Sequence, residues 1–211
     1  MDRAYPPINS LLEQAASIIR RKKEAAGTLE PTESYKRGQI EELISFANSN
    51  NLWISLSELN IEFLSKGGEN EVYTGDKDDI VVKLNNSEYA GDDLGNFFIR
   101  ISAHNKFFSN VPYHMIGFAY NSQHEFCAVL IQPYILAERE ATESEIAEYM
   151  EALGFEMDYI DEFHNEQYEI FDAVPNNVLY GIDNDLYFID TQIRRKKKIK
   201  PLSLHSDKGY K

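Results

Sequence analysis

Apolar residues recur at helical spacing near the start of the chain. One stripe follows Ser10, which forms a capping-box pattern with Glu13. Its apolar members are Leu11, Leu12, Ala15, Ile18 and Ile19. A second stripe follows the start signal Pro31-Thr32. Its members are Ile40, Leu43, Ile44 and Ala47. The pattern predicts a helical pair, which we assign to an N-terminal extension, residues 1–58.

The pattern then changes to short apolar runs separated by Gly- and Asp-rich turns. Strands are predicted at 61–64, 72–74, 80–84, 113–120 and 125–135, with one helical stripe between Leu94 and Phe108. Residues 59–136 should therefore form a five-stranded antiparallel sheet with a helix. Residues 137–193 should contain a helix that starts at Thr142 and ends near Gly154, and two strands around "GIDND". The acidic stretch 161–166 reads as a solvated helix end.

Composition and charge narrow the functional classes. The chain has 211 residues, of which 43% are hydrophobic, and no apolar run is long enough to span a membrane. The net charge of −14 disfavours nucleic acid as a partner. A single cysteine, Cys127, excludes an internal disulfide, and the N-terminus lacks a secretory pattern, so we predict a reducing cytoplasm. The basic segment within 194–211 is either a solvated tail or a local anion-binding surface.

Three polar residues in "FDAVPNNVLYGIDNDLYFID" have suggestive intervals. Asp172 precedes Asn177 by five positions, and Asn177 precedes Asp190 by thirteen. The segment between Asn177 and Asp190 reads as a hairpin, so these two residues should lie close together and offer oxygen ligands to Mg²⁺. Asp172 is placed to orient a hydroxyl. The alternative is that Asp172 is only a turn residue before Pro175, and that Asp190 is only a cap.

The same stretch resembles the protein kinases and kinase-like phosphotransferases. "DAVPNNVLY" resembles their D-x-x-x-x-N catalytic loop, and "YFID" resembles the strand that ends in their metal-binding Asp. Upstream, "LSKGGENEVYTG", "IVVKL" and "AVLIQPYI" resemble the phosphate-covering turn, the strand with the phosphate-contacting lysine and the strand that leads to the adenine edge. The closest resemblance is to compact kinase-like domains of polyvalent proteins from phages and mobile elements, or to minimal bacterial effector kinases.

The resemblance implies roles for individual residues. It makes Asp172 the catalytic base and Lys83 the phosphate-contacting group, with Asn177 and Asp190 as metal ligands. The implied nucleotide contacts are Gly67, Gly68, Val72, Lys83, Gln132 and Tyr134. The implied cofactors are ATP and Mg²⁺, and the partners are a nucleotide and a protein or small-molecule acceptor. The implied fold is α+β, with two lobes, an antiparallel N-lobe sheet and a truncated C-lobe, since only 21 residues follow Asp190.

The chain also departs from the family pattern. Ile170 and Phe171 stand where His-Arg is usual, and Thr191 and Gln192 follow Asp190 in place of Phe-Gly. No Glu occurs between Gly91 and Asn110 to pair with Lys83, so Glu88, Asp92 or Asp93 is expected to substitute. The predicted function is transfer of the ATP γ-phosphoryl to a hydroxyl. The alternatives are a pseudokinase-type binding module without turnover and an acidic protein-interaction domain.

Overall fold

The four helices predicted from apolar stripes and capping signals are present. The computed structural model describes residues 10–27, 31–75 and 79–196. Within these ranges the α-helices are α1 (Ser10–Ala26), α2 (Glu33–Asn50), α3 (Gly95–Phe107) and α4 (Glu143–Ala152). None of the helices in the described ranges is long and apolar enough to cross a membrane.

Helix α4 shows how the local sequence sets its two ends. The Thr142 hydroxyl accepts a hydrogen bond from the Glu145 amide at 3.3 Å, and the Glu145 carboxylate accepts one from the Thr142 amide at 2.8 Å. This reciprocal pair is the predicted capping box. At the other end, Gly154 has a φ of 81°, a left-handed conformation that glycine adopts without steric cost.

Twelve strands within the described residues form three antiparallel sheets. The first sheet has the order β1-β2-β3-β5-β4, the second β11-β10-β6 and the third β12-β9-β8-β7. The strand bounds are β1 Glu62–Lys66, β2 Asn70–Thr74, β3 Ile80–Asn85, β4 His114–Tyr120, β5 Phe126–Pro133, β6 Ala137–Glu140, β7 Glu156–Tyr159, β8 Glu162–His164, β9 Tyr168–Phe171, β10 Val178–Gly181, β11 Leu186–Phe188 and β12 Gln192–Arg195. The mixed α+β class with antiparallel sheets is thus confirmed.

The central strands of the five-stranded sheet are buried on both faces, and their pairing fixes where Lys83 points. Val72, Lys83 and Leu130 are neighbours across β2, β3 and β5, so they share one face. Leu130 on this face packs in one core with apolar residues of α1, α2 and α3. Val82 and Leu84 lie on the opposite face, in a second core with Cys127. Lys83 therefore projects into the helix-covered side of the sheet.

The N-terminal helices share their core with the sheet. Leu12 and Ile19 of α1 pack in the same cluster as Phe97 of α3. After α2, the chain pairs with β4: the Ile54 amide donates to the Phe118 carbonyl at 2.8 Å. The helical pair thus braces the side of the sheet that carries Lys83. The proposed division at residue 58, the other domain limits and the two-lobe arrangement stay predictions.

The region after β5 contains more strands than the sequence pattern indicates. The stretch 161–166, expected to be a helix end, instead contains β8 and the turns beside it. Its partner β7 is fully exposed and only four residues long, so its alternation of polar and apolar residues is too short to mark a strand clearly. The predictions for residues 1–9 and for the basic tail from residue 197 onward lie outside the described residues.

Candidate functional site

Lys83 is buried in the centre of a polar cluster. Its Nζ donates hydrogen bonds to the Ile189 carbonyl at 2.7 Å and to the Tyr113 hydroxyl at 3.3 Å, and it lies 3.8 Å from Asp190 Oδ1. Burial lowers the pKa of Lys83, while the negative charges of Asp190 and Glu69 oppose that shift. The Lys83 ammonium group thus contacts both the carbonyl of Ile189 and the side chain of the next residue, Asp190.

Asp190 follows β11 and remains accessible. Its side chain is 43% exposed. Asn70, the first residue of β2, donates from Nδ2 to Asp190 Oδ1 at 3.3 Å. The start of β2, the end of β3 and the segment after β11 therefore meet at this carboxylate.

The hairpin of β10 and β11 brings Asn177 next to Asp190, as the spacing predicts. Val178 pairs with Phe188, and the Ile189 amide donates to the Asn177 carbonyl at 2.9 Å. Asn177 closes a short 3₁₀ turn and is 9% exposed. Its Nδ2 donates to the Asp172 carbonyl at 2.9 Å, which leaves Oδ1 as an oxygen ligand. Asn177 thus connects the Asp172 loop to the Asp190 segment.

Asp172 has an unusual backbone conformation. Its φ is 58°, in the left-handed region that non-glycine residues seldom adopt, and its side chain is exposed. The neighbouring Ala173 is buried, and its amide donates to the Asp161 carbonyl at 3.2 Å. The loop is therefore anchored on both sides of a solvent-facing carboxylate. Strained residues of this kind occur often at functional sites.

The predicted phosphate turn connects β1 and β2. The Gly67 amide donates to the Asn70 carbonyl at 2.8 Å, which closes a tight turn. No atom lies within 4 Å of the position that a Cβ on Gly67 would take, whereas a Cβ on Gly68 would collide with the Tyr89 hydroxyl. Gly67 faces open space, and Gly68 lies under Tyr89.

Gln132 and Tyr134 lie where the adenine edge was expected, but both are already engaged. Gln132 is buried and donates from Nε2 to the Val111 carbonyl at 3.0 Å. The Tyr134 amide donates to the Asp79 carbonyl at 2.9 Å. The Tyr134 amide is therefore not free to bond to the adenine edge.

The expected acidic partner of Lys83 near the start of α3 is not found there. Asp93 instead accepts hydrogen bonds from Lys23 at 2.6 Å and from Gln39 at 2.9 Å. Glu88 and Asp92 are exposed. None of the three makes an ion pair with Lys83 in the described part of the chain, so this expectation is wrong.

The sequence pattern missed a second set of buried or half-buried polar residues near Lys83. Arg100 of α3 forms an ion pair with Glu69 of the phosphate turn at 2.5 Å. These residues surround a cavity of about 10 Å³, the size of one water molecule. The newly found members are Glu69, Asn70, Asn85, Arg100, Tyr113 and Gln192. The one available signal was that Asn70 and Asn85 are cross-strand neighbours on the face that carries Lys83.

Comparison with known proteins places this site in a family. A family model described as "Serine/Threonine/Tyrosine Kinase found in polyvalent proteins" matches residues 36–197. No curated protein matches the chain. The matched range covers more than half of the 211 residues and includes Lys83, Asp172, Asn177 and Asp190. The chain therefore belongs to this kinase family of polyvalent proteins, which confirms the predicted resemblance.

Proposed function

We propose that this chain transfers the γ-phosphoryl group of ATP to a hydroxyl of an acceptor. The supporting observation is the continuous path of contacts from Lys83 through Ile189 and Asn177 to Asp172. Lys83 bonds to the Ile189 carbonyl, the Ile189 amide bonds to Asn177, and Asn177 bonds to Asp172. Phosphoryl transfer depends mainly on positioning and on charge stabilisation, and this path holds the relevant groups in a fixed relation.

In this proposal, the nucleotide lies against the inner face of the five-stranded sheet. Val72 shares that face with Lys83 and contacts the adenine. The adenine edge lies against the predicted segment of Gln132 and Tyr134, in which the Tyr134 amide is already bonded to the Asp79 carbonyl. Gly67 and Gly68 let the backbone approach the phosphates, and Lys83 contacts the α and β phosphates.

The oxygen ligands near Asp190 suit Mg²⁺. Asp190 offers a partly exposed carboxylate, and Asn177 offers Oδ1, because its Nδ2 is already donated to Asp172. In the described residues no group of three or more His, Cys, Asp or Glu side chains could hold a metal. Mg²⁺ often binds through one or two protein oxygens together with substrate phosphates, so two ligands fit it. When bound, Mg²⁺ supplies positive charge to the phosphate oxygens.

Asp172 would orient the acceptor. Its exposed carboxylate accepts the hydrogen bond of the acceptor hydroxyl, whose oxygen forms a bond to the γ-phosphorus. The bond from that phosphorus to the β–γ bridging oxygen breaks, ADP leaves, and the hydroxyl proton passes to Asp172. Lys83 stabilises charge on the phosphates throughout.

A second candidate function is nucleotide binding without turnover. The observation in its favour is that α3 presents Arg100, a cation, on the face where the family usually has the Glu that pairs with the lysine. Such a module would keep the ATP contacts but not the arrangement that aligns the γ-phosphoryl group.

Thermal unfolding with ATP tests the nucleotide site. With Mg²⁺ present, ATP at about 100 times its Kd should raise the Tm of the wild type by about 5–10 °C. Asp190→Asn should lose the Mg²⁺-dependent part of the shift, whereas the matched variant Asp92→Asn, at an exposed carboxylate, should keep it. A shift that is absent in the wild type, or that survives in Asp190→Asn, contradicts the proposed site.

Turnover separates the enzyme from the binding module. With [γ-³²P]ATP as donor and a cell extract as the source of acceptors, the wild type should convert ATP to ADP and transfer the label. Asp172→Asn should bind ATP but transfer no label. Equal binding with no transfer by either protein would favour the module.

A further inference from the structure

A groove of about 860 Å³ lies between helix α3 and the paired strands β9 and β12. Its lining includes Phe171 and Gln192, which are neighbours across these two strands. Phe171 directly precedes Asp172, and Gln192 lies two residues after Asp190. The volume is in the range of ligand-binding clefts. The groove therefore adjoins both the proposed catalytic base and the proposed metal ligand.

The lining of the groove is basic, in contrast to the chain as a whole, which has a net charge of −14. Its charged residues are Arg100, Arg194, Arg195, Lys196 and a single carboxylate, Glu169. Arg100 and Arg194 are each paired with a glutamate. Arg195 and Lys196 form no ion pair within the described part of the chain. Two positive charges of the groove are therefore not neutralised by the protein itself.

Arg194 is held in place against the strands that line the groove. Its Cζ lies 4.1 Å from the centre of the Phe171 ring, and its Nε donates to the Glu169 carboxylate at 2.5 Å. Arg194 also pairs with Glu169 across β12 and β9, so both side chains share the sheet face of Phe171. The two Nη groups bond to nothing among residues 10–27, 31–75 and 79–196. They leave a planar pair of donors that matches a carboxylate or a phosphate.

The occupant that best fits this charge is a short acidic segment of a protein. A nucleic acid is a long polyanion, and the negative charge of the rest of the chain would repel the part that extends beyond the groove. The segment of this chain that follows Lys196 is not suited either, because Lys197, Lys198 and Lys200 have the same sign as the groove. A short acidic segment brings its charge to the cations alone.

The positions of the cations along β12 set the spacing expected in the acceptor. A strand rises about 3.3 Å per residue, so Arg194 lies about 7 Å and Lys196 about 13 Å along the chain from Gln192. An extended acceptor segment rises by a similar amount per residue. Acidic residues about two to four positions from the acceptor hydroxyl would therefore reach these cations when the hydroxyl lies at Asp172.

We propose that this groove binds the acceptor as an extended protein segment, with acidic residues about two to four positions from the hydroxyl. Arg194 binds the nearest acidic side chain through its Nη groups, and Arg195 and Lys196 bind the more distant ones. This inference rests on the proposed function, because it takes the acceptor hydroxyl to lie at Asp172. It adds the chemical class of the acceptor and the residues that select it.

Peptide binding tests the groove without ATP. The probes are two fluorescein-labelled peptides, each with one serine and three consecutive glutamates that begin two positions after it or end two positions before it. Fluorescence anisotropy gives their Kd values. For the tighter peptide, the double variant Arg195→Gln, Lys196→Gln should raise the Kd about tenfold, the effect of losing two exposed ion pairs.

The matched control removes the same charge from a surface outside the groove. Arg20→Gln, Arg21→Gln changes two exposed residues of α1 and should leave the Kd nearly unchanged. Equal effects of the two double variants, or no binding of either peptide to the wild type, overturn the proposal. A single-stranded oligothymidylate of similar length that binds more tightly than both peptides overturns the choice of a protein acceptor.

Arg194→Lys tests the contact assigned to Arg194. The variant keeps the positive charge, but an ammonium group cannot bond to Glu169 and present a planar pair of donors to a second carboxylate. The Kd of the tighter peptide should rise about fivefold, while its dependence on salt concentration stays that of the wild type. An unchanged Kd overturns the role of Arg194.

Phosphoryl transfer distinguishes this inference from the proposed function. With [γ-³²P]ATP and Mg²⁺, Arg195→Gln, Lys196→Gln should lower kcat/KM for the tighter peptide about tenfold, mostly through KM. Binding that depends on the groove, without transfer to the peptide, would count against the proposed function and leave the groove as a binding site. Transfer that the groove variants do not affect would support the kinase and overturn the groove.

Discussion

Replacing Lys83 with Met should leave the fold intact or stabilise it, although it removes nucleotide binding. The substitution removes a buried charge, whose desolvation costs several kcal/mol, and it loses a charged hydrogen bond to the Ile189 carbonyl that contributes about 1.5–3 kcal/mol. That carbonyl keeps the Tyr113 hydroxyl at 3.0 Å, and Asp190 keeps Asn70 and solvent. No buried group is left unpaired by the loss of Lys83, so the change in unfolding free energy should lie between zero and about 4 kcal/mol in favour of Met.

The difference in unfolding free energy between Lys83→Met and the wild type should depend on pH. Because burial lowers the pKa of Lys83 in the folded protein, the unfolded chain holds the proton up to about pH 10.4 after the native state has released it. In that alkaline window the wild type gains stability as the pH rises, by about 1.4 kcal/mol for each unit of pKa shift. Lys83→Met cannot gain it, so the gap between the two proteins should narrow.

Urea unfolding of both proteins at neutral and alkaline pH measures this gap. Lys22→Met is the matched control, since Lys22 pairs with Glu42 at the surface and its loss should cost at most about 1 kcal/mol, without the alkaline dependence. A Lys83→Met protein that is clearly less stable than the wild type at neutral pH, or a gap that stays constant with pH, would refute the reasoning.

Three further predictions concern single residues. Asp172→Asn should lower phosphoryl transfer by about 10²–10⁴-fold at nearly unchanged Tm, because Asn tolerates the left-handed backbone conformation. Asp172→Ala should lower transfer as well and should also cost about 1–2 kcal/mol of stability in urea unfolding. Equal Tm values in the two variants would contradict the backbone argument. The Arg139 guanidinium, with the Thr142 amide and hydroxyl, lowers the pKa of Glu145 to about 2, so the stabilisation that Glu145 provides is complete above about pH 4.5 and is lost as the pH falls towards 2. Glu145→Gln should therefore show a shallower acid dependence of Tm than the wild type; identical profiles would exclude this pair as a source of acid sensitivity. Burial raises the pKa of Cys127 to about 12, so its thiol should react with a disulfide reagent only after unfolding; rapid reaction in native buffer would show that β5 opens locally.

Much of the sheet and of the local site was predictable because it depends on short-range rules. The hairpin between Asn177 and Asp190 is fixed by turn residues between two apolar runs, and its ends must meet. Helix α4 carries both of its end signals, Thr142 with Glu145 and then Gly154. In these segments neighbouring residues along the chain determine the structure.

The parts that escaped prediction depend on contacts between distant segments. Strand β8 pairs with β7 on one side and with β9 on the other, but both β7 and β8 are very short, and β7 buries none of its side chains, so the sequence marks them only weakly. The hydrogen bond from the Tyr134 amide to the Asp79 carbonyl could not be predicted from the sequence, because it follows from the register of β3 against β5. Register is decided by the packing of a whole face and not by the residues at the strand end.

The charged groups near Lys83 could not be predicted for the same reason, because they come from segments distant in the sequence. A buried ammonium requires nearby carboxylates, and this requirement fixes the sign and the number of the surrounding charges but not the element that carries them. A search of α3 for a Glu therefore finds none, while the fold places Glu69 of the phosphate turn and Arg100 of α3 within 2.5 Å of each other beside the lysine. The absent helix Glu is thus not by itself a reason to assign a binding module, because Asp190 places a carboxylate 3.8 Å from the Lys83 ammonium. What decides between enzyme and module is whether this arrangement holds Lys83 and Asp190 as firmly as a helix carboxylate would. The hydrogen bonds from Lys83 to the Ile189 carbonyl and from Asn70 to Asp190 are the structural reason to expect that it does.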